Sequence, residues 1–427
     1  MQSLKEKVSQ VLRSSEPLFK LDMVYLAEGS FWTTLSFVVG TLASIVTMIA
    51  FGNLLPRETY GIYNYLLSLG ASLSFLTFSG VGIGVMRAVA RGYENVIPVA
   101  LRLQLKYNLI ATTTVLAVAI YYGYKGNMVF ASSLALLALA YPIAEAFHIY
   151  KQILTGRKRF DTLTKVTSII ILASTLATVV TLLLTDNIFI LIVVYASMSL
   201  LPNIFAYKFA TRHLDLAIPD PAQVSEMRRT AFHLTGAGLI GTLAQYVDKV
   251  LLFQIAGPTA LAVYAFAVAG PERLKSLIKN WGSITLPRLS QSSLGEIRKV
   301  VYKRIGLSLL IGAVLSLIYI IFAPLLFKLV LPRYLDAILY SQVLVLGLII
   351  APVSIYIGSI FASQNMLRAT YALNIGNNVT RIVLFLIFGW LWQIWGLIIA
   401  SLLTSLVNGI YGIIIWEVET RRLMKKQ

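Results

Sequence analysis

The sequence predicts an all-α integral membrane protein. Its twelve transmembrane helices form two six-helix halves in a parallel repeat, and both termini are cytoplasmic. Three observations carry this expectation. The 427 residues are 58% hydrophobic and only 13% charged, about half the charge of a soluble domain, at a mean hydropathy of +0.78. Apolar runs of roughly 20 residues, the length a crossing needs, recur throughout. A motif of the first half returns in the second at an offset of 201 residues.

Several function classes fall away at once. There is no cysteine, and the three histidines, His148, His213 and His233, are too scattered for a metal centre. No cofactor is implied. The net charge of +18 would suit nucleic acid only on a soluble module with a basic face, and no polar stretch here is long enough to fold alone. The HExxH, P-loop and serine-elbow signatures of enzymes are absent. Transport driven by an ion gradient, or by the gradient of the substrate itself, is what remains.

In chain order, residues 1–29 form a polar leader with Leu4, Val8, Val11 and Leu12 at helical spacing beside Lys5, Lys7 and Arg13. That pattern fits an amphipathic helix on the membrane surface or a solvated arm. The first apolar run lacks the short core and cleavage site of a signal peptide and is read as a permanent span. The first bundle, 30–209, carries spans near 30–52, 60–86, 106–122, 128–150, 163–184 and 188–209. The cytoplasmic linker 210–230 contains the proline-bearing TRHLDLAIPDPAQ, and the second bundle, 231–416, carries spans near 231–256, 259–281, 305–331, 337–363, 371–391 and 394–416. A basic tail, 417–427, follows. With these spans, 31 of the 36 Lys and Arg lie on the side shared with the termini, including Arg368 and Arg381. Arg57, Lys125, Lys328 and Arg333 lie opposite, and Lys249 is inside a span. The positive-inside rule makes the shared side cytoplasmic.

The repeat pairs LPRETYGIYNYLLSL (55–69) with GPTALAVYAFAVAG (257–270), Tyr63 with Tyr264 and Arg87 with Arg288. Pro56 and Pro258 each follow the first span of their half, where proline ends one helix and opens a turn. Because six crossings per half is an even number, both halves enter from the cytoplasm, and the repeat axis runs along the membrane normal. Such repeats place a substrate path between the halves, opened alternately by rocking.

The charge within the spans concentrates between Gln245 and Ser276. A charged side chain at the centre of a crossing costs about 2.5–3.5 kcal/mol on insertion scales and normally faces protein or a wet cavity. Asp248, Lys249 and the nearby Gln245 lie in the seventh span, and Glu272, Arg273 and Lys275 follow Gly270-Pro271, a pair expected to kink the eighth. Stepping back 201 residues from Asp248, Glu272 and Arg273 gives Thr47, Ala71 and Ser72, so the charges break the repeat. Gln245, Lys249, Arg273 and Lys275 are the candidate substrate-binding residues, and Asp248 and Glu272 the candidates for ion coupling. An interhelical ion pair made by Asp248 or Lys249, and snorkelling of Arg273, Lys275 and Lys279 to the cytoplasmic interface, are the plainer alternatives. Arg87, Arg91 and Arg288 stand at inner-mouth positions, either meeting an anionic headgroup or only fixing topology. Glu145 and His148 share a helix face, as a proton relay or a local pair. Gly236, Gly238 and Gly241 spell GxGxxG without a preceding strand, so helix packing explains them better, as it does Gly80 and Gly84. The acceptor pattern Asn378–Thr380 lies at a cytoplasmic span start, where no glycosylation is expected.

FGNLLPRETYGIYNY (51–65), VGIGVMRAVARG (81–92), VDKVLLFQIAGPTALAVYAFA (247–267), LPRLS (286–290) and IWGLIIA (394–400) together resemble the polysaccharide-export branch of the multidrug/oligosaccharidyl-lipid/polysaccharide exporter superfamily, the O-antigen and teichoic-acid flippases. The resemblance covers nearly the whole chain. It implies two six-helix bundles in a V around a cationic lumen, residence in the cell membrane, and flipping of a polyprenyl-diphosphate-linked oligosaccharide to the outer leaflet. Partners would be that lipid-linked glycan, membrane lipids, a proton or sodium ion and glycan-assembly proteins. Lys249 and Arg273 would then neutralise the diphosphate or acidic sugars. A drug/cation antiporter of the same fold is the first alternative. A lipid II flippase is weaker, because Val268 stands where that branch carries an arginine. A membrane glycosyltransferase would need a large polar loop that the chain lacks.

Overall fold

In the computed structural model, residues 23–212, 214 and 218–424 are described, with the side chains at 23–28, 74, 75, 237, 280–288, 290, 291 and 424 excepted. Most of the expected leader, His213 in the linker and the end of the tail therefore lie outside the described residues. Among those described, every regular element is a helix, and nine are long and apolar enough to cross a membrane. The chain divides into two compact units. One holds the described residues through Ala50 with Leu76–Gly236, the other Phe51–Phe75 with the described residues from Ala237 on.

In the first unit, the part of α1 (Met23–Leu54) up to Ala50 is followed, beyond the exchanged segment, by α3 (Val81–Ala90), α4 (Ile97–Tyr124), α5 (Met128–Phe147), α6 (Ile149–Gly156), α7 (Phe160–Leu184) and α8 (Ile188–Thr211). Helix α5 packs between α4 and α8, and α3 lies on α6. The core gathers Phe78, Val81, Val85, Ile97, Ile149 and Ile153. Gly80 and Gly84 act as packing glycines: a Cβ on Gly80 would sit 2.2 Å from the carbonyl oxygen of Ala231, and one on Gly84 2.9 Å from that of Met227. Buried Asn108 closes a polar gap, donating to the Pro142 carbonyl at 2.7 Å and accepting from the Phe78 amide at 3.0 Å. The outer face of α7 is apolar, with Ile169, Leu172, Leu176, Val180 and Leu183 all exposed at helical spacing. Such a stripe is stable only where the solvent is lipid.

The second unit contains α2 (Arg57–Ser72), the part of α9 (Pro221–Gln291) from residue 237 on, α10 (Leu294–Val330), α11 (Ala337–Val345), α12 (Gly347–Ser363) and α13 (Leu367–Met424). The stretch read as a second span, 60–86, is α2 and α3 separated by a 3-10 turn at Leu73–Leu76 and by the four residues 77–80. Neither piece alone has crossing length. Conversely, expected spans seven and eight fall in one 71-residue element, roughly 107 Å if straight. It is broken at Gly257, whose φ of 82° and ψ of −179° are open to glycine and strained for other residues. Expected spans eleven and twelve likewise share α13, broken at Trp392 and Gln393. The backbone leaves helical φ/ψ at Gly257 and stays helical through Gly270-Pro271, so the reversal of the chain sits at Gly257. Of the three glycines expected to pack, Gly236 and Gly238 have open space where a Cβ would point, whereas one on Gly241 would sit 3.3 Å from the Asn378 amide nitrogen.

Helix α2 is seated in this unit by close backbone contact. A Cβ on Gly61 would lie 1.9 Å from the Pro258 carbonyl oxygen, so the proline corner of one repeat rests on the glycine of the other. At the start of α2, Arg57 forks onto Asp336 at 2.8 and 3.1 Å, donates to the Arg333 carbonyl and lies 4.9 Å from the Tyr334 ring centroid. Asn53 adds a 2.8 Å bond to the Val330 carbonyl. Replacing Gly61 with alanine should therefore force a backbone shift and cost about 1–3 kcal/mol. Gly306→Ala, where no atom lies within 4 Å, should be neutral or stabilising by up to about 1 kcal/mol. Thermal unfolding of the detergent-solubilised variants checks the contrast.

Candidate functional site

The site is built from the break at Gly257. Asp248 and Tyr264 are 16 residues apart, about 24 Å along an unbroken helix. Instead the Tyr264 hydroxyl donates to Asp248 Oδ2 at 2.9 Å, so Gly257 turns the chain into a helical hairpin. Asp248 is 3% exposed, and its Oδ1 also accepts from the Lys249 amide at 2.9 Å. Helix α13 brings the third partner. Arg381 approaches Asp248 Oδ2 with one terminal nitrogen at 3.6 Å and lies 5.0 Å from the Phe385 ring centroid.

These groups line a cavity of about 480 Å³, a volume that includes its open mouth. Asp248, Tyr264, Val268, Pro271, Glu272 and Lys275 of α9 form one wall. Leu344, Gly347, Leu348 and Ala351 form another, and Arg381, Phe385, Ser401 and Ser405 of α13 complete it. Glu272 and Lys275 pair at 3.2 Å with both side chains exposed, which makes that bridge weak. The Asp248–Arg381 pair is more buried and so better shielded from solvent. The cavity thus carries two cations and two carboxylates and is formally neutral.

Of the residues singled out from sequence, Asp248, Glu272 and Lys275 come together here. Lys249, half-buried, and Gln245 and Arg273, both exposed, are not on this lining. Arg87 is exposed at the end of α3, and Arg91 pairs with Glu226 at 2.7 Å within the first unit. The side chain of Arg288 lies outside the described residues. Glu145 and His148 meet at 3.1 Å. Arg381 and Tyr264 carry the site and were not singled out. Arg381 had a legible signal, an arginine well inside an apolar run, which was absorbed into the cytoplasmic charge count. Tyr264 showed itself only as a repeat marker. Among the described residues, no three of His, Asp or Glu converge as metal ligands would.

Comparison with known proteins adds a family and a fold. The family described as polysaccharide biosynthesis protein matches residues 26–293. The structure is similar to an inward-facing multidrug resistance transporter of the MATE family and MOP superfamily, at 14% identity, TM-score 0.68, covering 93% of this chain and 99% of that one. An outward-facing structure described in the same terms gives 16% identity, TM-score 0.63, and 94% and 97% coverage. A MOP superfamily transporter from Pyrococcus furiosus, described as having a binding pocket of reversed polarity that suggests a different function, gives 15%, 0.58, and 92% and 95%. Comparison with curated proteins gives no match.

The hairpin contact can be tested directly. Tyr264→Phe leaves Asp248 Oδ2 facing only a guanidinium at 3.6 Å, which should destabilise the protein by about 1–3 kcal/mol. Adding Asp248→Asn should recover part of that loss, a coupling read from the double-mutant cycle of melting temperatures.

Proposed function

Because the chain belongs to the polysaccharide biosynthesis protein family, we propose that it moves a polyprenyl-diphosphate-linked oligosaccharide across the cell membrane, from the cytoplasmic to the outer leaflet. The observation that carries this reading is the charged cavity inside an otherwise apolar helical unit. A membrane protein keeps buried charge where a polar cargo passes. Relatives of this fold occur in inward-facing and outward-facing forms, and alternating access by rocking of the two units is the mechanism we infer here.

The topology in this proposal has twelve crossings. Dividing each of the two broken helices in two and adding the interrupted α2–α3 pair to the nine long apolar helices gives that number. The excess of basic residues supports cytoplasmic termini, with 210–230 as the linker between bundles. Asp248, buried on the cavity wall, and Glu272, near its mouth, are the coupling sites for a proton or sodium ion. Lys275 contacts the anionic headgroup in the cavity, and Lys249, Gln245 and Arg273 meet it outside. Arg87, Arg91 and Arg288 serve the inner mouth.

Purified protein in vesicles should move a labelled lipid-linked oligosaccharide into the leaflet reached by an impermeant reagent. Asp248→Asn should abolish the response to an imposed proton or sodium gradient. Lys249→Gln and Arg273→Gln should slow glycan movement about tenfold, the effect of losing one charge-assisted contact. Uptake of a cationic dye with no glycan movement would replace this reading with that of a drug/cation antiporter.

A further inference from the structure

Arg381 is the least satisfied charged group of the cavity. Asp248 has two hydrogen-bond donors of normal length, the Tyr264 hydroxyl and the Lys249 amide, both at 2.9 Å. The 3.6 Å approach of Arg381 is beyond hydrogen-bond range. Asp248 is thus hydrogen-bonded without Arg381. The converse does not hold, because a guanidinium has five N–H donors and Arg381 Nε is buried with no partner. Phe385, its ring centroid 5.0 Å away, gives the guanidinium an aromatic contact that takes up none of its N–H donors.

We infer that Arg381 is the anion-holding residue of this cavity, and that Asp248 keeps it in reserve until a diphosphate takes the carboxylate's place. The inference rests on the substrate class proposed above and names a residue for it. The charged and titratable groups on the lining are Asp248, Glu272, Lys275, Arg381 and Tyr264. Since the two carboxylates balance the two cations, an anion enters by exchange for a carboxylate rather than by simple addition of charge. Of the two cations, Lys275 is already 3.2 Å from Glu272 and offers a point charge. Arg381 offers a fork that matches two phosphate oxygens. The hydroxyl of Ser401, on the second arm of α13, is a further donor, while that of Ser405 already donates to the Ser401 carbonyl at 3.1 Å.

The test is binding of farnesyl diphosphate to the full chain in lipid nanodiscs, by calorimetry, with inorganic pyrophosphate as competitor. Wild-type protein should bind the lipid diphosphate and lose it to pyrophosphate. Arg381→Gln should weaken binding about ten- to a hundredfold, and Arg381→Lys should fall between. Asp248→Asn, which removes the competitor, should tighten binding. That opposite sign separates the inference from a folding defect, which would weaken both variants together. Wild-type affinity in Arg381→Gln, or weakening by Asp248→Asn, would overturn this inference alone. No diphosphate binding by the wild type would overturn the substrate reading, and this one with it.

Discussion

A carboxylate buried in a membrane bundle must be answered from within the bundle, and in the second unit that requirement ties the long helices together. Asp248 is only 3% exposed, and an unanswered charge so deeply buried costs several kcal/mol. Its answers come from the far arm of its own hairpin, through Tyr264, and from α13, through Arg381. The first needs the reversal at Gly257, which only a residue at ease with φ of 82° supplies without strain. One glycine therefore decides whether the acidic site exists.

The same corner organises the packing outside the site. Pro258, fixed at the start of the second arm, presents its carbonyl to Gly61, so α2 approaches closely enough for backbone contact. Arg57 then pins the start of α2 to the 333–336 turn through Asp336. Tyr65 stacks on Phe253 with ring centroids 3.9 Å apart, and Gln254 donates to its hydroxyl at 2.7 Å. The two proline corners paired by sequence thus meet in one compact unit, with residues 51–75 belonging to the second unit although the chain order puts them early.

Much of the fold was legible because membrane helices carry a strong signal. Apolar length and the proline and glycine corners set where helices run, and α7 and α8 begin and end within a few residues of the spans read from hydropathy. The division of residues between units was not legible, because Gly61 advertises nothing of the partner it will touch. The site was half legible for a physical reason. Asp248, Glu272 and Lys275 stood out as charges against an apolar background, whereas Arg381 was read by the rule that assigns arginines to the cytoplasmic face. That rule describes insertion energetics on average and carries no information on which arginine will face a buried carboxylate. Tyr264 carries no formal charge, so no count of charges finds it.

The neutrality of the cavity also bears on how a carrier would work. A pocket with unopposed cations would hold a diphosphate in both leaflets and release it slowly, since each charge-assisted contact contributes about 1.5–3 kcal/mol. Placing Asp248 beside Arg381 and Glu272 beside Lys275 sets an internal ligand against the external one. The net gain on binding is then only the difference between two similar interactions. In the exchange proposed above, Tyr264 and the Lys249 amide would keep Asp248 hydrogen-bonded while its cation is engaged elsewhere, so no bare carboxylate would be stranded in the bundle. Arginine suits the exchange better than lysine, because its fork can grip the incoming phosphate with one edge before it leaves the carboxylate.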